Sequence, residues 1–177
     1  MGKSGIPYCD ETWEVVSGCA PCSPVCLNPD TGKTTCWAAR TEARIAACQH
    51  RDEGLATADG HWTGKIILRP ERLRAPEHWR KPRVVFAASR SDLFHPVVPV
   101  VFREEVFRTM ALCPEHTFLV LTKRPEEMLA FCVSPYLRTL AHPQTWPLPN
   151  VWLGISVWDQ ESADRDIPLL RLTKAAH

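Results

Sequence analysis

The chain has 177 residues, of which 45% are hydrophobic and 23% charged, and its formal net charge is +1. That length suits one domain able to bury a core without covalent staples. The near-neutral charge supplies no whole-protein field for nucleic acid or a membrane surface. No stretch approaches the ~20 apolar residues of a membrane span, and the opening MGKSGIPYCDETWE lacks the apolar core of a signal peptide. The expected location is therefore the cytoplasm, where stable disulfides are rare and clustered cysteines favour metal.

In chain order, residues 12–16 (TWEVV) read as a brief strand ending before Gly18. Residues 17–36, SGCAPCSPVCLNPDTGKTTC, hold Cys19, Cys22, Cys26 and Cys36, half of the eight cysteines. Pro21, Pro24, Pro29 and Gly32 break regular structure there, which leaves a thiol-rich loop. Such a loop suits disulfides, a zinc site or an iron–sulfur cluster better than cysteine as a small core residue. Residues 37–48 (WAARTEARIAAC) have helix composition, residues 49–64 read as a loop, and residues 66–68 form a short apolar run. Pro70 opens an expected short helix, PERLRAPEHW. Residues 69–83 carry six Lys/Arg against two Glu, by default a solvated face and in the sharper reading a phosphate contact.

A regular alternation follows. Residues 83–88 (RVVFAA) and 117–121 (TFLVL) read as buried strands, and residues 151–157 as a third. Helices are expected over 99–112, with Phe102, Val106 and Met110 on one face, over 125–133 with a break at Ser134-Pro135, and over 161–172. A Pro-rich loop fills residues 142–150. Strand–helix alternation implies a parallel sheet of about four βα units within a single α/β domain spanning 1–177. That is fewer than a complete (β/α)₈ barrel, so an incomplete barrel from a truncated chain, or a small open sheet, is expected.

Polar residues gather after each strand: Ser89, Ser91, Asp92 and His95, then Thr122, Lys123 and Arg124, then Ser156 and Asp159. Parallel α/β folds carry their sites at the carboxyl ends of strands, so these groups and the cysteine loop are expected on one rim. The plain alternative is that Asp92 and Asp159 are helix caps or turn residues. The adjacent cations Lys123 and Arg124 suit a carboxylate or phosphate.

The segments TWEVVSGC, SPVC and CWAAR resemble the start of a phage and bacterial protein family of unknown function that carries a three-cysteine motif and is regarded as radical-SAM-like. HWTGKIILRPERLRAPEHWRKPRVVFAASRSDLFH, HTFLVLTKRPEEM and LPNVWLGISVWDQESADRDIPLL are similar to its later blocks. In the family, six residues separate the first two cysteines and two separate the second from a Cys-Tyr-Ala. Cys19 and Cys26 keep the first spacing, the third match is Cys36 in Cys36-Trp37-Ala38, LNPDTGKTT reads as an insertion, and Cys22 is extra.

The resemblance implies a partial barrel of the radical-SAM type. It implies a [4Fe–4S] cluster on Cys19, Cys26 and Cys36, with Cys22 as a substitute for Cys36, and reductive cleavage of S-adenosylmethionine to modify an unknown substrate. Lys123 and Arg124 would then pair with the cofactor carboxylate or a substrate phosphate, and Ser89, Asp92, Ser156 and Asp159 would bond ribose or adenine. An electron donor is expected, and a partner protein encoded nearby is compatible with the phage association. Two other readings stand beside it: a binding module stabilised by zinc on the four cysteines, with Cys19 and Cys22 as one half-site, and an inactive truncated relic. Nucleic acid ranks below these as a partner, and no membrane is expected.

Overall fold

The computed structural model describes residues 5–49, 53–134 and 146–175. Its centre is a four-stranded parallel sheet in the order β1-β4-β5-β6, with β1 Glu11–Trp13, β4 Val84–Ala87, β5 Thr117–Thr122 and β6 Val151–Ile155. Two short strands, β2 Val16–Ser17 and β3 Ile67–Leu68, pair antiparallel beside it. Among the described residues the helices are α1 Trp37–Gln49, α2 Val100–Leu112, α3 Pro125–Cys132 and α4 Gln160–Leu172, with one helix after each strand of the main sheet or its short extension.

Alternation along β5 explains how the sheet is covered. Phe118, Val120 and Thr122 are buried, while Thr117, Leu119 and Leu121 on the opposite face are half-buried. The buried face packs with Val85 and Ala87 of β4 and with Val151 and Leu153 of β6 against Val106, Phe107 and Met110 of α2 and Met128 and Phe131 of α3. The expected helical stripe is rotated slightly: Val106 and Met110 are buried as anticipated, with Phe107 and Arg103 beside them, while Phe102 is only partly covered. Trp13 at the end of β1 is 1% exposed, stacks obliquely on Phe118 at 5.7 Å, and donates its indole N–H to the Arg72 carbonyl at 2.7 Å.

Two expectations are corrected. The strand over residues 12–16 is two strands: the chain turns at Glu14-Val15, where the Val15 N–H bonds the Trp13 carbonyl at 3.1 Å, and Val16 then pairs with Leu68 instead of β4. The helix PERLRAPEHW is two separate 3₁₀ turns, Pro70–Arg72 and Pro76–His78, because Pro76 has no N–H to continue the first. In the basic run Arg69 pairs with Glu53, Arg74 with Glu77 and Arg83 with Glu11, Arg72 bonds the Glu14 carbonyl, and Arg80 and Lys81 are exposed. Pro135 and residues 142–145 of the Pro-rich loop lie outside the described residues.

Candidate functional site

A cleft of about 240 Å³ opens where the parallel strands end. Cys19, Cys22, Cys26 and Cys36 line it together with Ser89, Ser91 and Asp92 from the end of β4. Thr122, Lys123 and Arg124 from the end of β5 and Ser156 from the end of β6 complete its polar wall. The expected convergence on one rim is therefore found for the sequence-derived residues except His95 and Asp159.

Asp159 is exposed and caps α4. Its carboxylate accepts the Ser162 N–H at 2.7 Å, and the Ser162 hydroxyl faces the Asp159 N–H at 3.0 Å, a reciprocal capping box. That backbone hydrogen bond holds its carboxyl below the usual range. It does not line the cleft. His95 is buried in the turn before α2, where its carbonyl accepts from Arg103 at 2.8 Å.

The cysteine loop begins at a position only glycine can occupy. Gly18 has φ +87°, and a Cβ there would lie 2.0 Å from the Lys65 carbonyl oxygen. A bridge between Gly18 and Ser91 then sets Cys19 beside the end of β4. The stretch after Cys26 closes on itself. Leu27 and Thr34 form an antiparallel bridge, and Asn28 Oδ1 accepts from Asp30 N at 3.0 Å and Thr31 N at 2.8 Å. The Thr35 N–H returns to the Cys26 carbonyl at 3.3 Å. The nine residues that separate Cys26 from Cys36 thus form a compact excursion, and both thiols line the same cleft. Cys19 and Cys36 also pack on a small satellite cluster of Ala39, Leu55 and Trp62 under α1.

The thiols differ in environment. Burial pushes Cys19 up to about 11, opposed by the nearby Arg124 charge. Cys22 and Cys26 share a hydrogen bond that lowers Cys26 and raises Cys22, and the Ser23 hydroxyl lies 3.2 Å from the Cys26 sulfur. The donor set is four soft sulfur atoms on one irregular loop beside three cations, Arg90, Lys123 and Arg124, a chemistry that fits a thiolate-held metal group. Among the described residues no three His, Cys, Asp or Glu side chains are gathered in a metal-holding arrangement. Ligation would therefore draw the cysteines closer than they stand.

Asp92 and Arg124 are engaged with the protein rather than open to a ligand. Arg124 Nη1 lies 2.8 Å from Asp92 Oδ2, and both Asp92 oxygens accept from the Thr122 hydroxyl, at 2.8 and 2.9 Å. Lys123 has no ion-pair partner among the described residues and is the cation left facing the cleft. Sequence reasoning missed Glu14. It is 8% exposed behind Ser89, whose hydroxyl donates to its carboxylate, and the Arg90 N–H reaches it at 3.3 Å. Burial raises its carboxyl above the ordinary value, opposed by those two partners. A carboxylate inside the otherwise apolar TWEVV was its one signal. Tyr8, Trp62 and Phe86 supply an aromatic side of the cleft that composition did not reveal.

The profile of one family, described as Protein of unknown function (DUF5131), matches residues 3–177; the description states no activity, cofactor or cysteine motif. No curated protein and no solved structure matches the chain.

Proposed function

We propose, for a chain that belongs to the DUF5131 family of unknown function, that the cleft is the site of a radical-SAM-like iron–sulfur protein. Cys19, Cys26 and Cys36 would hold a [4Fe–4S] cluster, with Cys22 able to replace Cys36. What supports this reading is one observation: four thiols of a single loop meet the residues that follow β4, β5 and β6 in one cleft at the carboxyl ends of a parallel sheet. The strand order favours a barrel wall over a doubly wound sheet. It runs sequentially through β1, β4, β5 and β6 without the reversal that marks a doubly wound sheet, and the main core lies on one face.

A bound cluster with S-adenosylmethionine supplies the one-electron reduction that breaks a sulfonium carbon–sulfur bond. The chain's own residues bind and orient. Three thiolates would leave one iron of such a cluster without a protein ligand. Lys123 offers a charge to a carboxylate or phosphate of the ligand. Ser89 and Ser91 donate their hydroxyl protons inward, to Glu14 and to the Val16 carbonyl at 2.8 Å, so they face the cleft as acceptors. Tyr8, Trp62 and Phe86 limit water on the apolar side.

The test is metal analysis and electron paramagnetic resonance of anaerobically iron-reconstituted protein, with and without S-adenosylmethionine, beside a Cys19/Cys26/Cys36 triple alanine variant. About four irons per chain, lost in the variant, with a spectrum changed by S-adenosylmethionine, is the expected result. One tightly held zinc and no iron would replace this reading with a zinc-stabilised binding module. A folded chain that takes up neither metal would remove both.

A further inference from the structure

We infer that Arg124 is the positioning residue of the cysteine loop: braced by Asp92, its guanidinium latches the first turn of that loop onto the ends of β4 and β5. A guanidinium is a rigid fork that can satisfy two acceptors in fixed relative positions. Here one prong, Nη1, is 2.8 Å from Asp92 Oδ2, and the other, Nη2, is 2.9 Å from the Ala20 carbonyl, 104 residues away in sequence. Nη1 also lies 3.9 Å from the Cys19 sulfur. The acceptor Ala20 sits between Cys19 and Cys22, so the contact acts on the segment that carries the first two thiols.

The bracing side is fixed independently. Asp92 is 4% exposed and accepts the Phe94 N–H at 2.9 Å and the Lys123 N–H at 3.4 Å, besides the Thr122 hydroxyl. The Arg124 backbone N–H is held by the Thr122 hydroxyl at 2.9 Å, immediately before Pro125 starts α3. Arg124 is thus clamped at its backbone and at one prong before it reaches the loop.

The loop has little else of this kind. Among the described residues, the hydrogen bonds made by residues 19–35 run within the loop or to Cys36, except those from Arg124. The bridge at Gly18 fixes the entry, and Arg124 fixes the orientation beyond it. Asp92 and Arg124 thus support the loop rather than contact a ligand, and Lys123 is the cation left for the ligand. It rests on the preceding reading only for what the loop carries.

The test is hydrogen–deuterium exchange of the full chain, reduced and stripped of metal with a chelator, for wild type, Arg124→Lys and Arg124→Ala. Lysine keeps the charge beside Asp92 but cannot span both acceptors. The expected result is about tenfold or faster exchange across residues 19–36 in both variants, with β5 and α2 unchanged, in line with the loss of charge-assisted bonds. Wild-type exchange in Arg124→Lys would overturn the inference, since charge alone would then suffice. Unchanged loops in both variants would overturn it as well. So would parallel loosening of β5 and α2, which would make Arg124 a residue of the fold rather than of the loop. Iron uptake by the same three proteins is measured alongside. Loosened loops in variants of a wild type that binds no iron would uphold the latch and sink the cluster reading, whereas iron binding with unmoved loops would do the reverse.

Discussion

Replacing Thr122 with valine removes one hydroxyl and almost no volume. That hydroxyl donates to both oxygens of the buried Asp92 carboxylate and accepts the Arg124 N–H, and Thr122 itself is 2% exposed. A hydrogen bond to a charged group contributes about 1.5–3 kcal/mol, and a donor left unsatisfied costs about 1 kcal/mol or more. The extra buried methyl of valine returns less than about 1 kcal/mol. The net loss is therefore about 2–3 kcal/mol, a large part of the ~5–15 kcal/mol that holds an ordinary domain together. In urea, with a slope of about 2 kcal/mol per molar for a chain of this size, the midpoint should fall by about 1 M. Thr122→Ser keeps the hydroxyl and should lose less than half as much. Equilibrium unfolding followed by tryptophan fluorescence, under reducing conditions, reads both. A valine midpoint within about 0.3 M of wild type, or serine as damaging as valine, would refute the claim that this hydroxyl carries the Asp92 cluster.

Gly18→Ala forces a side chain onto φ +87° with its Cβ 2.0 Å from the Lys65 carbonyl oxygen, so it should destabilise by about 3 kcal/mol or more and shift the cysteine loop, read as a lowered urea midpoint and faster deuterium exchange over residues 19–36. Glu14 makes stability fall with rising pH: its folded value is raised by burial, so the native chain holds the proton longer than the unfolded one, and the penalty for ionising it grows as pH climbs from about 4.5 through the folded value. The stability of Glu14→Gln relative to wild type should therefore improve steadily across that window in a pH series of urea melts; a difference that is flat with pH would contradict the assigned environment. Asp159→Ala should weaken α4, seen as faster exchange of its first-turn amides, and leave iron uptake by reconstituted protein equal to wild type, because its carboxylate caps the helix and stands apart from the cleft.

How far the sequence reaches depends on the range of the interactions. The four main strands and their helices were readable because their signals are local: RVVFAA and TFLVL are continuous apolar runs, and Pro99 and Pro125 mark helix starts within one residue of where they occur. The rule that sites gather at strand ends places Ser89, Asp92, Lys123, Arg124 and Ser156 on one rim, while His95 and Asp159 stand outside it. What it could not supply was the division of labour among them. Asp92, Lys123 and Arg124 look equivalent as polar residues after strands, yet the Arg124 fork closes on Asp92 and a carbonyl 104 residues distant, while the Lys123 ammonium has no ion-pair partner among the described residues. The turn at Glu14-Val15 was hidden for a similar reason. Pairing of Val16 with Leu68 is a long-range preference that outweighs the local strand pattern of TWEVV.

The stretch between Cys26 and Cys36 bears on how such a site can change over time. Because the chain leaves and re-enters through the Leu27–Thr34 bridge, the reach between those two thiols is set by the footprint of that bridge, and the residue count beyond it is a free variable. A tip of this kind can lengthen or shorten as a hairpin tip does, without moving either sulfur. Spacing between cysteines in the sequence, the usual signature of a metal motif, is then a poor guide to the distance between their sulfurs. Replacing residues 29–32 with a two-residue Asn-Gly turn, which keeps the Asn28 N–H bond to the Lys33 carbonyl, should preserve the free energy of unfolding in urea to within about 0.5 kcal/mol and leave metal uptake as it was.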